Sequence, residues 1–228
     1  MTGNPAVDHK IGIKYIDIKI LGQISYDDAL IFQQKLARER AAGKSADVLL
    51  LVEHPPTYTL GLRGDAQHFC VSPSELEARG AVVRRVNRGG GVTFHGPGQL
   101  VGYPIINVKA RCGNIARYVW QLEQVLIGTL AAFGVQATRI PGYRGVWVND
   151  QKIAAIGIRV DSAGISTHGF AVNINTDLSY FKAIIACGIP DKRVTSLVRE
   201  LGRPVSMHEA RACLSRIFVR EFGKPHTA

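Results

Sequence analysis

The sequence predicts a single α+β domain, and three observations support that fold class. Strand-like apolar runs and capped helices both occur along the chain, so both element types have to pack into one core. The 228 residues suit one sizeable domain that can bury a core without disulfide bridges. Charged residues and glycines interrupt every apolar run, so no window reaches the roughly 18 to 20 apolar residues of a membrane helix.

We expect residues 1–10 to form a disordered tail and residues 11–228 to form the domain. The tail is polar, and no apolar signal core follows it. We therefore expect the protein in the cytoplasm.

The first half of the chain predicts three strands and two helices. The strands cover 11–20, 48–52 and 81–86, and the helices cover 26–42 and 73–79. Isoleucines alternate along the first strand, with one shift in register between Tyr15 and Ile16. Ser25 caps the first helix, whose predicted buried stripe includes Leu30, Ala37 and Ala41.

The second helix and the histidine before it carry clear local signals. Ser72 and Glu75 form a capping box, with Pro73 at the first helical position. His54 directly follows the second strand, where two prolines interrupt the strand's pairing. A histidine in such a place is more often a hydrogen-bonded structural residue than a catalyst.

The second half of the chain predicts one long helix, a hairpin and several shorter elements. Asn114 caps the long helix, whose apolar stripe runs from Ile115 to Phe133. The Asn149-Asp150 turn joins strands over 146–148 and 151–160. Beyond it we expect a strand over 166–175, helices over 178–185 and 194–201, a break over 187–190, and a last helix opened by the Ser206 and Glu209 capping box and ending at Phe222.

The stretch from Arg88 to Tyr103 holds six glycines next to an apolar run. Such glycines mark positive φ or a close approach of the main chain to a partner. They fit a ligand-cradling loop on a strand, and a tight hairpin with bulges fits Gly89 to Gly91 equally well. Arg88, His95 and the turn after them favour the ligand site. Neither a dinucleotide fingerprint nor a phosphate loop is present.

The strand over 166–175 predicts a second wall for that site. Alternation places His168 and Phe170 on one face and Gly169, Ala171 and Asn173 on the other. The second face is small and polar, which suits a ligand wall. A crowded contact between strands would explain Gly169 and Ala171 equally well.

The net charge is +10, from 28 Lys and Arg against 18 Asp and Glu. This charge favours acidic partners, such as nucleic acid or an acidic carrier protein. The basic residues are scattered without a dense arm or interleaved aromatics, which disfavours a nucleic-acid-binding module. The four cysteines are far apart, with no C-x-x-C, so neither a zinc knuckle nor a disulfide framework is indicated.

Among the cysteines, Cys187 is the candidate nucleophile. It is expected between a helix end and Gly188, where unpaired backbone amides can hold an oxyanion. A free cysteine is usually only a small buried hydrophobe, which is the alternative here. A thiolate needs a positive or basic neighbour, and Lys152, His95 and His168 are the candidates. Lys152 opens an apolar strand, where it either serves the site or faces solvent.

Five segments together resemble the lipoyl(octanoyl) transferase family, in the same order along nearly the whole chain. They are Glu53 to Gly61, Arg88 to Leu100, Lys152 to Gly157, His168 to Asn173, and Cys187-Gly188. The related lipoate and biotin ligases do not share the His-Gly-Pro-Gly-Gln run or the late Cys-Gly. Ala186 stands where the family often has a proline before the cysteine.

The resemblance implies a mixed sheet flanked by helices, similar to the catalytic domain of biotin and lipoate protein ligases. It also implies that an octanoyl or lipoyl group moves from acyl carrier protein to a lysine of a lipoyl domain through a thioester on Cys187. Lys152 would lower the pKa of that thiol and relay the proton. Residues that would line the acyl and oxyanion pocket are Arg88, Gly89, Gly90, Gly91, Val92, Thr93, Phe94, His95, Ala155, Ile156, Gly157, Gly169, Phe170 and Ala171.

The resemblance further sets the expected partners. Acceptors would be the lipoyl domains of 2-oxoacid dehydrogenases and the H protein of glycine cleavage. We expect a monomer with no cofactor, no metal, no nucleic acid and no membrane partner. Thioester exchange is nearly balanced in free energy, so the reaction needs no ATP. An ATP-dependent lipoate or biotin protein ligase would share the fold and is the alternative.

Overall fold

The computed structural model describes residues 15–185 and 193–223. In chain order its strands and helices are β1 (Ile16–Gln23), α1 (Tyr26–Ala41), β2 (Asp47–Glu53), β3 (Thr57–Leu60), α2 (Pro73–Ala78), β4 (Val82–Arg85), β5 (Val92–His95), β6 (Gln99–Ile105), α3 (Val108–Cys112), α4 (Ile115–Ala132), β7 (Thr138–Ile140), β8 (Tyr143–Val148), β9 (Gln151–Val160), β10 (Ser166–Asn173), α5 (Leu197–Leu201) and α6 (Met207–Phe222), with 3-10 turns at Ala66–His68 and Leu178–Ala183. The predicted tail, the predicted break and Cys187 lie outside the described residues.

The strands form one large and one small sheet. The large sheet has seven strands in the order β1-β2-β6-β10-β9-β8-β7, and the small sheet has the order β4-β3-β5. Parallel pairing joins β1 to β2 and β3 to β4, while the other neighbours are antiparallel. These mixed sheets with flanking helices confirm the predicted α+β class.

Apolar side chains cover both faces of the large sheet. Leu49 and Leu51 of β2 lie in a cluster with α4 and α6, whereas Val48, Leu50 and Val52 lie in a second cluster with α1. Successive side chains of a strand point to opposite faces. Burial on both faces therefore explains why β2 is a continuous apolar run in the sequence.

A third apolar cluster connects the small sheet to the chain just before residue 186. Phe94 of β5 packs there against the 3-10 turn Leu178–Ala183, with its ring stacked on Tyr180 at a centroid distance of 4.5 Å. Ile184 then forms an isolated bridge with Phe69. The small sheet thus packs against the chain as far as Ile184.

One buried carboxylate ties three elements together. Asp47, at the start of β2, is fully buried. It accepts hydrogen bonds from Arg40 of α1, from Arg111 of α3 and from the backbone N–H of Asn107. A buried charge is tolerated only when it is paired and hydrogen-bonded, and Asp47 meets both conditions.

Most predicted helix starts are confirmed, while the buried stripe of α1 is corrected. The side chains of Ser25, Ser72, Asn114 and Ser206 accept N-cap hydrogen bonds as expected. In α1, however, Leu30 is half-buried and Ala41 is exposed. The buried residues are Tyr26, Ala29, Gln33, Leu36 and Ala37, because the helix turns a neighbouring stripe toward the sheet.

Several predicted ranges are also corrected. The first strand is described from Ile16, with a register shift between Ile20 and Gly22, while the part of the predicted strand before Tyr15 lies outside the described residues. The helix predicted over 178–185 is a 3-10 turn that ends at Ala183. The helix predicted from Val194 begins at Leu197, because Val194 pairs with Lys152 as an isolated parallel bridge. Ile115, predicted in the stripe of α4, is exposed.

The β8–β9 hairpin is confirmed, with Asn149 at a positive φ of 53° in its turn.

No helix within 15–185 and 193–223 is long and apolar enough to cross a bilayer.

Candidate active site

A narrow cavity lies between the glycine loop and the strands β9 and β10. All but two of the predicted pocket residues line it. Gly89 lines a neighbouring cleft instead, and Phe94 points to the other side of β5, into the third apolar cluster. Phe94 points away because alternation along β5 turns Thr93 and His95 toward the cavity. Three residues that the sequence interpretation did not place in the pocket, Tyr26, Tyr103 and His168, also line it.

Glycines let the loop and the strands approach each other closely. The backbone N–H of Gly89 donates to the carbonyl of Ile158 of β9 over 2.9 Å. A Cβ at Gly157 would lie 2.9 Å from the carbonyl oxygen of Gly89, and one at Gly169 would lie 2.1 Å from that of Gly102. The two interpretations of Gly169, as a ligand wall and as a crowded contact between strands, therefore hold together. Gly169 makes a close contact with β6 and also borders the cavity.

Arg88 holds a buried positive charge at the cavity wall. Its guanidinium donates to the carbonyl of Thr59 over 2.7 Å and to the hydroxyl of Thr59 over 2.8 Å. A further hydrogen bond goes to the carbonyl of Gly89 over 3.0 Å. Because these bonds fix the planar group, Arg88 ties the glycine loop to β3.

Three histidines lie beside the cavity in a buried cluster. Burial is the main cause that lowers the pKa of His54 and His168 to about 4 and that of His95 to about 3. Coulombic repulsion from Arg88 lowers the pKa of His95 and His168 further. All three side chains are therefore neutral near pH 7, which makes His95 and His168 weak bases.

The hydrogen bonds of the cluster fix which ring nitrogen carries the proton. His54 Nδ1 donates to the carbonyl of Ile24 over 2.8 Å, so His54 Nε2 accepts from the Tyr103 hydroxyl over 2.7 Å. His168 Nε2 donates to Asn87 Oδ1, and His168 Nδ1 accepts from the Tyr26 hydroxyl over 3.3 Å. His54 is thus a hydrogen-bonded structural histidine, as predicted.

His168 departs from the predicted alternation of β10. Its φ is 56°, and its side chain contacts Tyr26 of α1 while Phe170 packs in the cluster with α4 and α6. The prediction that His168 and Phe170 share a face is therefore wrong. A positive φ in a non-glycine residue has no signal in the alternation pattern.

Gln99 orients His95 in the same way. The amide nitrogen of Gln99 donates to the carbonyl of Phe94 and to Asn173 Oδ1, so its oxygen accepts from His95 Nδ1 over 2.9 Å. His95 Nε2 consequently carries a lone pair. Asn173 donates onward to the carbonyl of Thr195, which connects this network to the returning chain after residue 192.

Lys152 lines two spaces that adjoin the narrow cavity. Its Nζ is 4.7 Å from the ring centroid of Trp147, and its side chain lines both a small cavity shared with Phe181 and Val194 and a wider cleft. Its backbone N–H donates to the carbonyl of Arg193, and its carbonyl accepts from the N–H of Thr195. The chain that follows residue 192 is therefore held directly against Lys152.

The wider cleft is basic and much larger than the narrow cavity. Its volume is about 520 Å³, against about 50 Å³ for the narrow cavity. Arg63 and Arg144 line it together with Lys152, and Leu62 and Tyr143 add exposed apolar surface.

The described cysteines do not take part in this site. Cys70 is exposed, and Cys112 and Cys213 are buried, as predicted for Cys213. Burial raises the pKa of Cys112 to about 12. None of these three lines the cavities around Lys152. Within the described ranges no cluster of His, Cys, Asp or Glu fits a metal ion.

Comparisons with known proteins give matches along most of the chain. The family model of the lipoyl protein ligase A/B catalytic domain matches residues 25–219. The chain is 47% identical over 191 residues to an octanoyltransferase of Chloroflexus aggregans, covering 83% of this chain and 86% of the relative. It is 48% identical over 194 residues to an octanoyltransferase of Rubrobacter xylanophilus, covering 84% of this chain and 87% of the relative.

Solved structures share the fold at lower identity. A lipoate-protein ligase A bound with ATP matches with a TM-score of 0.70 at 17% identity, covering 90% of this chain and 84% of that chain. A biotin protein ligase from Aquifex aeolicus matches with a TM-score of 0.52 at 12% identity, covering 92% of this chain and 69% of that chain. The predicted likeness to the ligase fold is confirmed.

Proposed function

The chain belongs to the octanoyltransferase family, and from this premise we propose that it transfers an octanoyl or lipoyl group from acyl carrier protein to a lysine of lipoyl domains through a thioester on Cys187. The acceptors are the lipoyl domains of 2-oxoacid dehydrogenases and the H protein of glycine cleavage. The enzyme acts in the cytoplasm as a monomer. The observation that carries the proposal is the position of Lys152, which lies between a narrow apolar cavity and the chain on the C-terminal side of Cys187.

The narrow cavity suits an acyl chain. Its walls are mostly apolar or backbone, with Val92, Ala155, Ile156, Phe170 and Ala171 among the lining residues. Small volume and apolar walls favour one extended hydrocarbon chain, whose burial contributes about 0.8 kcal/mol for each methylene group.

The flanks of Cys187 support its role as the nucleophile. Phe181, six residues before it, lines the small cavity beside Lys152, and so does Val194 after it. The N–H of Ile185 donates to the carbonyl of His68, which fixes the chain two residues before the cysteine. Described residues on both sides of Cys187 thus line the cavity beside Lys152, which supports the proposed role of Cys187 there.

The chemistry needs a thiolate and a route for protons. In the first step the Cys187 thiolate attacks the donor thioester carbon, the bond to the carrier sulfur breaks, and that sulfur takes up a proton from the Lys152 ammonium, which leaves Lys152 neutral. In the second step the neutral amine of the acceptor lysine attacks the new thioester, and the Cys187 sulfur leaves. The amine proton passes to Lys152, whose charge then stabilises the leaving thiolate.

The basic cleft suits the acidic carrier. Arg63 and Arg144 are both exposed and line this cleft together with Lys152. Arg84, in contrast, is paired with Asp27 at 2.9 Å and does not line the cleft. Together with the net charge of +10, this arrangement favours electrostatic steering of an acidic protein to the mouth of the cavity.

A transfer assay without nucleotide tests the proposal against the ligase alternative. Protein, octanoyl-carrier and a lipoyl domain are incubated with an enzyme that destroys ATP, and octanoylation of the lipoyl domain is followed by mass. We expect full transfer under these conditions, because the thioester donor is already activated. Transfer that requires ATP and free octanoate would instead identify a ligase.

Replacing Lys152 with Met is expected to slow alkylation of Cys187 by iodoacetamide at pH 7 by about tenfold. The change keeps much of the stem and removes the ammonium that stabilises the thiolate. The rate should recover as pH rises toward the ordinary thiol pKa of about 8.5. Alkylation is measured on the peptide that contains Cys187. Lys182→Met is the control, because it also removes a lysine charge but Lys182 does not line any of the three cavities. Identical pH profiles for the wild type and Lys152→Met would remove Lys152 from this role.

A further inference from the structure

The narrow cavity has two distinct ends. Thr93, Ala155 and Ala171 line both this cavity and the small one beside Lys152, so they mark the near end. From Ala171 to His168, β10 advances three residues, or about 10 Å. The far end therefore lies beside His168, with Tyr26 and Tyr103 in its wall.

That distance is close to the length of an eight-carbon chain. Seven carbon–carbon bonds of about 1.5 Å reach roughly 9 Å in an extended zigzag. If the carbonyl carbon lies at the near end beside Lys152, the terminal methyl group comes close to Tyr26, Tyr103 and His168.

The far end offers hydrogen-bond acceptors but few hydrogens to an occupant. The single hydrogen of the Tyr103 hydroxyl goes to His54, and that of the Tyr26 hydroxyl goes to His168. The ring N–H groups of His168 and His95 go to Asn87 and Gln99. Tyr26, Tyr103 and His95 therefore keep oxygen or nitrogen lone pairs that donate nothing to an occupant, whereas both ring nitrogens of His168 are already engaged by Asn87 and Tyr26.

We propose that the acceptors of Tyr26, Tyr103 and His95 at this end of the cavity set the upper limit of acyl chain length at about eight carbons. The inference rests on the proposed function for the direction in which the chain enters. An acyl chain has no hydrogen-bond donor at its methyl end. A longer chain pushes methylene groups against the lone pairs and excludes the water that can satisfy them.

The size of the effect follows from general specificity limits. One additional methylene in an apolar pocket changes kcat/KM by about 10- to 200-fold at most, whereas a buried polar group left unpaired can discriminate more strongly. A polar end wall is therefore a sharper limit than an apolar one of the same size. We expect the wild type to prefer octanoyl over decanoyl donors by at least about tenfold.

Tyr103→Phe is the variant that tests the wall. It removes one cavity-facing hydroxyl, and the acceptor that this exposes, His54 Nε2, belongs to a residue that does not line the cavity. The ratio of kcat/KM for decanoyl over octanoyl donors should rise by about fivefold or more. Tyr118→Phe makes the same chemical change in the core against α6, where Tyr118 is fully buried near Phe222, and should leave the ratio unchanged.

Two further measurements keep the proposal open to refutation. Tyr103→Leu also removes the hydroxyl but adds space, so a rise in the ratio for Leu without a rise for Phe would show that volume alone limits the chain and would overturn the proposal. Calorimetric binding of octanoic and decanoic acids gives the same comparison without transfer. Failure of transfer with either donor would contradict the proposed function, while the binding ratio would still decide the role of the wall. A loss of stability alone would lower both rates and leave the ratio unchanged, which also counts against the proposal.

Discussion

Cys187→Ser is expected to lower kcat/KM for octanoyl transfer by at least about a thousandfold. A serine hydroxyl stays protonated near neutral pH, and the neutral histidines around the cavity are weak bases that cannot activate it. The thiolate that we propose for Cys187 carries its negative charge before the attack. Initial rates at several carrier concentrations, with a lipoyl domain as acceptor, measure the effect.

The other cysteines provide matched controls for that loss. Cys70→Ser changes an exposed thiol that does not line the cavities, and its rate should stay within about twofold of the wild type. Cys213→Ser places a hydroxyl in the core and should cost about 1 to 3 kcal/mol of stability without a matching loss of rate. A Cys187→Ser variant that retains a tenth of the wild-type rate would remove Cys187 from the chemical step.

Asp47→Ala is expected to lower the free energy of unfolding by about 3 to 5 kcal/mol. The change leaves Arg111, which is buried, and Arg40, which is largely buried, without their shared carboxylate. It also removes the partner of the Asn107 N–H. Urea unfolding followed by circular dichroism measures the loss.

A surface aspartate separates this effect from general loss of charge. Asp17 pairs with Lys19 at 2.7 Å, and its side chain is 51% exposed. Asp17→Ala should therefore change stability by less than about 1 kcal/mol. If Asp47→Ala were as mild as Asp17→Ala, the buried network would contribute far less to the fold than its geometry indicates.

Local signals in the sequence were sufficient for most of the elements. Caps such as Ser25 and Asn114 start helices where the structure has them, because a side-chain oxygen satisfies N–H groups that the helix leaves unpaired. The Asn149-Asp150 turn likewise places the β8–β9 hairpin, since the turn and both strands are adjacent in sequence. The order and pairing of the large sheet depend on contacts between distant segments and could not be derived from local pattern.

The small sheet was the main element that local pattern did not predict. Thr57–Leu60 follows two prolines and looks like a loop, yet it forms β3 between β4 and β5. Its partners come from residues that are more than twenty positions away in the chain. The orientation of Phe94 could not be predicted for the same reason. Its side chain packs in the third apolar cluster, which brings together residues from distant parts of the chain.

The candidate site was predictable where glycines and motif resemblance mark it, and less so where the site uses core-like residues. Tyr26 and Tyr103 look like ordinary buried aromatics, one at a helix start and one in an apolar run. Tyr103 had one available signal, since a hydroxyl inside a buried strand needs a hydrogen-bond partner. The partner, His54, lies 49 residues away, so the pairing appears only in the structure.

The intact mass of the protein after exposure to octanoyl-carrier, with no lipoyl domain present, tests the central claim most directly. We expect the wild type to gain the mass of one octanoyl group. That adduct should be labile to hydroxylamine, lie on the peptide that contains Cys187 and disappear when a lipoyl domain is added. The Cys187→Ser variant should gain no hydroxylamine-labile adduct, while Cys70→Ser should behave like the wild type. An adduct that persists in Cys187→Ser, or a wild type that transfers the acyl group without ever carrying it, would contradict the thioester mechanism.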